Sequence, residues 1–168
     1  MPRVNRTVGF LCLIIFVNTL SIGAFPVLLP EIGRTNGIEY FALGAIAGAF
    51  GLSRVFADIP AGLFITHHLR RALVIGVVSV TAGVICLGLD GPYALLVTGR
   101  ALGGVGHALS MLGGMTAIIR YAPASARAFS LNAFEMCAML GVLCGMIGAG
   151  FLPSHWPWNA TLLVASAP

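Results

Sequence analysis

The sequence predicts an all-α integral membrane protein with several spans. Three observations carry that prediction. Hydrophobic residues make up 58% of the chain and charged residues only 8%; five stretches are each long and apolar enough to cross a bilayer; and most of the arginines fall between those stretches. Ordinary soluble domains carry about a quarter charged residues, and a water-facing surface cannot be built from so few. The 22 glycines sit inside the apolar stretches, where membrane helices use them to bring backbones close. All nine basic residues are arginine and they form no cluster, so the formal charge of +4 does not describe a nucleic-acid-binding patch. Cys12, Cys86, Cys137 and Cys144 lie in apolar runs without CxxC spacing, which reads as small hydrophobes in helices.

Taken in order, a crossing needs about 20 apolar residues, and the expected spans are 8–29, 40–66, 72–89, 93–119 and 128–152. A sixth begins near Trp158 and stops at Pro168; about ten residues reach only ~15 Å, half the hydrocarbon thickness. The expectation is therefore a fragment: a six-helix bundle truncated within its sixth helix. Arg3 and Arg6 ahead of the first span imitate a secretory signal. The apolar run is too long for one, however, no small-residue cleavage site closes it, and four more runs follow.

Orientation follows from the connections, because short cytoplasmic loops hold the excess of basic residues. Arg3 and Arg6, then Arg70 and Arg71, then Arg120 and Arg127 occupy alternate connections, against Arg34 alone on the other side. The amino terminus is thus expected in the cytoplasm. Trp156 and Trp158, beside Pro153 and Pro157, read as an aromatic anchor at the outer surface. Small residues form stripes that suit close helix packing: Gly44 and Gly48 in the second span; Gly99, Gly103, Gly106, Ser110, Gly113 and Ala117 in the fourth; Ala138, Gly141, Gly145 and Gly148 in the fifth.

Ionisable groups at membrane depth cost about 2.5–3.5 kcal/mol on insertion scales, which makes each a functional candidate. Arg54 falls near mid-membrane with Asp58 four residues later on the same helical face. The two can neutralise each other, either to make insertion tolerable or as part of a gate or substrate site. Arg100 has Gly103, Gly104 and His107 on or beside its face; its side chain either snorkels outward or, the preferred reading, points into a cavity. Glu135 is the only carboxylate of the fifth span, a proton carrier or a neutral packed acid. His107 and Asn18 read as interhelical polar contacts or relay positions.

No enzyme constellation emerges. His67 and His68 have no Cys, Asp or Glu near them to complete a metal site, and there is no nucleophile elbow, phosphate loop or carboxylate pair. Neither a metal nor a cofactor is expected.

The run Ser53-Arg54-Val55-Phe56-Ala57-Asp58-Ile59-Pro60-Ala61-Gly62 is similar to the Arg, Asp-x-Pro-x-Gly stretch that precedes the signature loop of the major facilitator superfamily. In that loop Gly62, Arg70 and Arg71 match, while Thr66, His67 and Leu69 replace its Asp, Arg and Gly. Arg100-Ala101-Leu102-Gly103-Gly104-Val105-Gly106 resembles the family's Arg-x-x-x-Gly-x-Gly pattern, whose arginine is linked to proton coupling; Gly103 stands where Gln is frequent. The glycine-rich fifth span resembles the antiporter motif but lacks its Gly-Pro. Ala122 to Arg127 resembles the loop after the fourth helix, and His155 to Asn159 the lead-in to the sixth.

This resemblance implies the amino-terminal half of a twelve-helix transporter, with a central site between two six-helix halves and alternating access by rocking. The implied activity is secondary transport of a small organic solute, coupled to protons, in the cell's inner membrane. Arg100, Glu135, His107 and Asn18 are then the substrate or coupling candidates, and Arg54, Asp58, Gly62, Arg70 and Arg71 the gating or structural ones. The charge surplus favours an anionic or amphiphilic solute. The implied partners are that solute, protons, the lipid bilayer and a missing carboxyl-terminal half, with no nucleic acid. Two rivals stand beside this reading: a truncated membrane protein that transports nothing, and an intramembrane enzyme.

Overall fold

The computed structural model describes residues 6–89, 91–152 and 156–166. Its helices are α1 (Arg6–Asn36), α2 (Tyr40–Gly88), α3 (Tyr93–Tyr121), α4 (Arg127–Phe151) and α5 (Trp158–Ser166), with a 3-10 turn at Ala124–Ala126 leading into α4. Among the described residues four helices are long and apolar enough to cross a membrane. The nine-residue α5 is too short. Pro26 and Pro30 lie within α1, as membrane helices allow. The helix ends where Gly37 adopts φ 61°, and the Ile38 N–H then donates to the Gly33 carbonyl at 3.0 Å. This closure satisfies a terminal carbonyl and needs the left-handed residue that glycine supplies most readily.

The 49 residues of α2 would reach ~74 Å if straight, more than twice the ~30 Å hydrocarbon core. Instead the dihedrals break at His68, with φ −132° and ψ 44°. Contacts with α3 give the direction of each arm. On the first arm (40–67) the Tyr93 hydroxyl donates to the Ala42 carbonyl at 3.4 Å, and Gly104 lies against Phe50 and Ser53, so numbering rises in parallel. On the second arm (69–88) Gly113 meets Leu73, Gly106 meets Gly76, and Gly99 meets Gly83, so numbering runs opposite. The chain therefore reverses at His68. Two helices joined by 67–71, and six in all, are expected from the sequence; among the described residues there are five α-helices, because the connection contracts to one residue. No Gly or Pro lies between Ile65 and Ala72 to end a helix earlier.

Packing is most extensive between α2 and α3 and between α1 and α4. Both contacts depend on glycine. A Cβ at Gly106 would lie 2.6 Å from the Gly76 carbonyl oxygen, and one at Gly83 2.6 Å from that of Gly99. Side chains at Gly23, Gly141 and Gly145 would likewise strike the backbones of Val142, Phe16 and Leu20. The stripes on α3 and α4 are thus packing surfaces over most of their length. Gly44, Gly48 and Gly148 are not, having nothing within 4 Å of a Cβ; the α2 stripe faces away from the bundle.

Two apolar clusters occupy opposite ends. One gathers Val8, Ile15, Ile65, Leu109, Ile118 and Phe134; the other gathers Phe25, Ile32, Ile46, Leu96, Trp158 and Leu162. Trp158 is therefore a core residue, 2% exposed, rather than the surface anchor expected for it, because α5 packs on α1, α2 and α4. Trp156 remains exposed, and Pro153 and His155 lie outside the described residues, as does Arg3. Between the clusters runs a belt of buried polar side chains that includes Asn18, Thr19, Ser21, Arg100, His107 and Ser110.

Candidate functional site

The belt opens on a cavity of about 360 Å³ lined from four helical segments. Thr19 and Ile22 come from α1, Phe50 and Arg54 from the first arm of α2, His107, Met111, Leu112 and Met115 from α3, and Glu135, Ala138, Met139 and Val142 from α4. Three of the ionisable candidates, on three helices, thus share one space. No ion pair joins them: among the described residues the only one is Arg34 to Glu31, 2.8 Å long at the end of α1. The expected Arg54–Asp58 pair is also not formed, although both side chains are half-buried. Arg54 lines the cavity and Asp58 does not.

His107 is 7% exposed, its ring 5.8 Å from that of Phe50, and its Nδ1 has no hydrogen-bond partner among the described residues. The arrangement offers a permanent cation at Arg54, a titratable carboxyl at Glu135, and an imidazole between them in sequence order around the wall. Apart from Thr19, the rest of the lining is apolar, with three methionines that adapt to irregular ligands. Such a space can hold an anionic group against Arg54.

Asn18 lies just beneath this lining. Its Nδ2 donates to the Ser110 hydroxyl at 3.0 Å, a buried bond from α1 to α3, and Gly76 leaves room for that hydroxyl, a Cβ there falling 2.5 Å from Ser110 Oγ. Asn18 is a clasp between helices, one of the two roles open to it from sequence.

Arg100 is not in the cavity. It is 7% exposed, with its guanidinium carbon 4.0 Å from the Phe25 ring centre and 4.8 Å from that of Phe50. It neither snorkels nor faces open space: it lies in a narrow crevice beside Ser21, Gly99 and Gly103, separated from the cavity by Phe50, which lines both. Its Nε has no hydrogen-bond partner among the described residues. Each cation–π contact contributes about 0.5–2 kcal/mol, whereas desolvating an ion costs several kcal/mol. The two rings leave part of that cost uncovered.

The signature-loop residues are peripheral. Arg70 and Arg71 are exposed, Gly62 is exposed with nothing within 4 Å of a Cβ, and His68 stacks on Phe64 at 5.2 Å. Among the described residues no group of His, Cys, Asp and Glu is arranged to hold a metal. Sequence reasoning missed Phe25, Phe50, Thr19 and the methionines. For Phe50 a signal existed, since it precedes Arg54 by four residues and so shares its helical face.

The profile of the Major Facilitator Superfamily matches residues 11–168. The chain is 28% identical over 152 residues to the multidrug resistance protein Stp of Mycobacterium tuberculosis, covering 89% of this chain and 28% of that protein. It is 26% identical over 177 residues to polyol transporter 5 of Arabidopsis thaliana, covering 99% and 33%. Among solved structures, a bacterial homologue of the human lysosomal transporter Spinster, inward-facing and occupied, superposes with a TM-score of 0.74 at 20% identity over 97% of this chain and 41% of that one. The chain spans about a third of the length of the curated relatives it matches. The match over 11–168, on a bundle of apolar membrane-crossing helices, establishes that the chain belongs to the major facilitator superfamily.

Proposed function

We propose that this chain is the amino-terminal six-helix part of a secondary transporter that moves a small organic solute by alternating access, with protons as the coupling ion. It does so in the cell's inner membrane, with its amino terminus in the cytoplasm. The break at His68 supports reading α2 as two crossings, with α5 as the start of a sixth. One observation carries the reading: Arg54, His107 and Glu135, from three helices, line a single cavity of about 360 Å³. That volume fits a small molecule and excludes a folded macromolecule. The relatives named as polyol and multidrug transporters support the same class of cargo. Proton coupling falls to Glu135, the one carboxyl on the cavity wall. Arg54, without an ion pair among the described residues, favours an anionic or amphiphilic solute whose apolar body rests on Met111, Met115 and Met139.

The test is transport by the full-length protein in proteoliposomes under an imposed pH gradient. Glu135→Gln is expected to abolish gradient-driven accumulation while leaving solute exchange without a gradient intact. Accumulation at the normal rate in that variant would remove Glu135 from coupling. Absence of both accumulation and exchange for every small solute tried would remove the transporter reading.

A further inference from the structure

Arg100 is a buried cation for which the described part of the protein supplies no anion. The remainder of a longer chain can reach only the 7% of its surface that stays exposed. The rings of Phe25 and Phe50 lie against the guanidinium, and its buried Nε has no partner among the described residues. A crevice lined by Arg100 measures about 10 Å³, roughly the space of one water-sized particle. Ser21 lies on its wall, and the hydroxyl donates only a long 3.4 Å bond to the Asn18 carbonyl, which leaves it free to turn toward an anion. Gly99 and Gly103 are also on the wall.

We propose that Arg100 and Ser21 form a binding site for one small monovalent inorganic anion of halide size, enclosed between α1, α2 and α3 and separated by Phe50 from the solute cavity. Water fits the same space but neutralises nothing; a carboxylate or phosphate group is too large for it. The site balances a charge rather than carrying cargo, so it does not depend on what the transporter moves.

The test uses the full-length protein in detergent, with thermal unfolding followed at constant ionic strength in sodium chloride, bromide, acetate and gluconate. Chloride and bromide are expected to raise the midpoint with saturation, and acetate and gluconate to leave it unchanged. ³⁵Cl line broadening on the unsubstituted protein reads the same binding without heating. Arg100→Gln is expected to abolish the halide effect and Arg71→Gln, at an exposed site, to preserve it. Should Arg100→Gln fail to fold, Ser21→Ala serves in its place, weakening halide affinity by about tenfold. Equal midpoints in all four salts with no chloride broadening overturn the proposal. So does a halide effect that survives Arg100→Gln or is undiminished in Ser21→Ala, and an acetate effect equal to that of chloride overturns the size assignment.

Discussion

Gly106 and Gly48 both belong to small-residue stripes, yet their surroundings differ. A Cβ at Gly106 would lie 2.6 Å from the Gly76 carbonyl oxygen, whereas Gly48 has nothing within 4 Å. Gly106→Val is expected to destabilise the full-length protein by about 1–3 kcal/mol, the usual cost of overpacking, and Gly48→Ala to change stability by less than about 0.5 kcal/mol. Thermal unfolding in detergent compares them directly. For Asn18 and Ser110, a double-mutant cycle with both alanine variants is expected to return a coupling of about 0.6–1.7 kcal/mol, the range of buried bonds between membrane helices. Additive single effects would remove the clasp. Candidate residues such as Arg54, His107 and Glu135 were legible in sequence because a charged or titratable group in an apolar span is costly and therefore conspicuous. Phe25 was not, since phenylalanine is ordinary in such a span, and the spacing that puts Phe50 on the face of Arg54 does not show that both rings lie on Arg100.

At the scale of elements, the apolar runs read from hydropathy fall on the four helices long and apolar enough to cross a membrane among the described residues, because such a run has to match the bilayer in length. Hydropathy failed at the join within α2. His67, Leu69, Arg70 and Arg71 are all compatible with a helix, so polarity marks where the membrane ends and says little about where the backbone turns. The Trp158 expectation failed similarly: a tryptophan beside prolines has the composition of an interfacial anchor, and the docking of α5 buries it instead. The reversal at His68 has a measurable consequence. In a background with the native cysteines replaced, His68→Cys is expected to react with a membrane-impermeant thiol reagent from the cytoplasmic face only, and Gly37→Cys from the opposite face only. Labelling of both from one side would contradict the reversal together with the orientation.

The whole molecule presents a great deal of apolar surface. Phe56, Ile59 and Leu63 are 73%, 77% and 71% exposed, and α4 turns Met136, Leu143 and Ile147 outward. In water such a surface aggregates; in a bilayer it meets lipid or further helices. The full-length protein is expected to stay with membranes through an alkaline wash and to require detergent for extraction, and a monodisperse, detergent-free monomer would refute the membrane reading outright. Within that exterior, α1 fits α4 and α3 fits the second arm of α2 through backbone-to-glycine contacts that leave no slack. Each pair therefore behaves as a stiff plank. The cavity between the planks takes His107 from one and Glu135 from the other, with Arg54 supplied by the first arm of α2, which belongs to neither. A displacement of one plank against the other would therefore alter the spacing of imidazole and carboxyl, and a solute wedged between them would register on both.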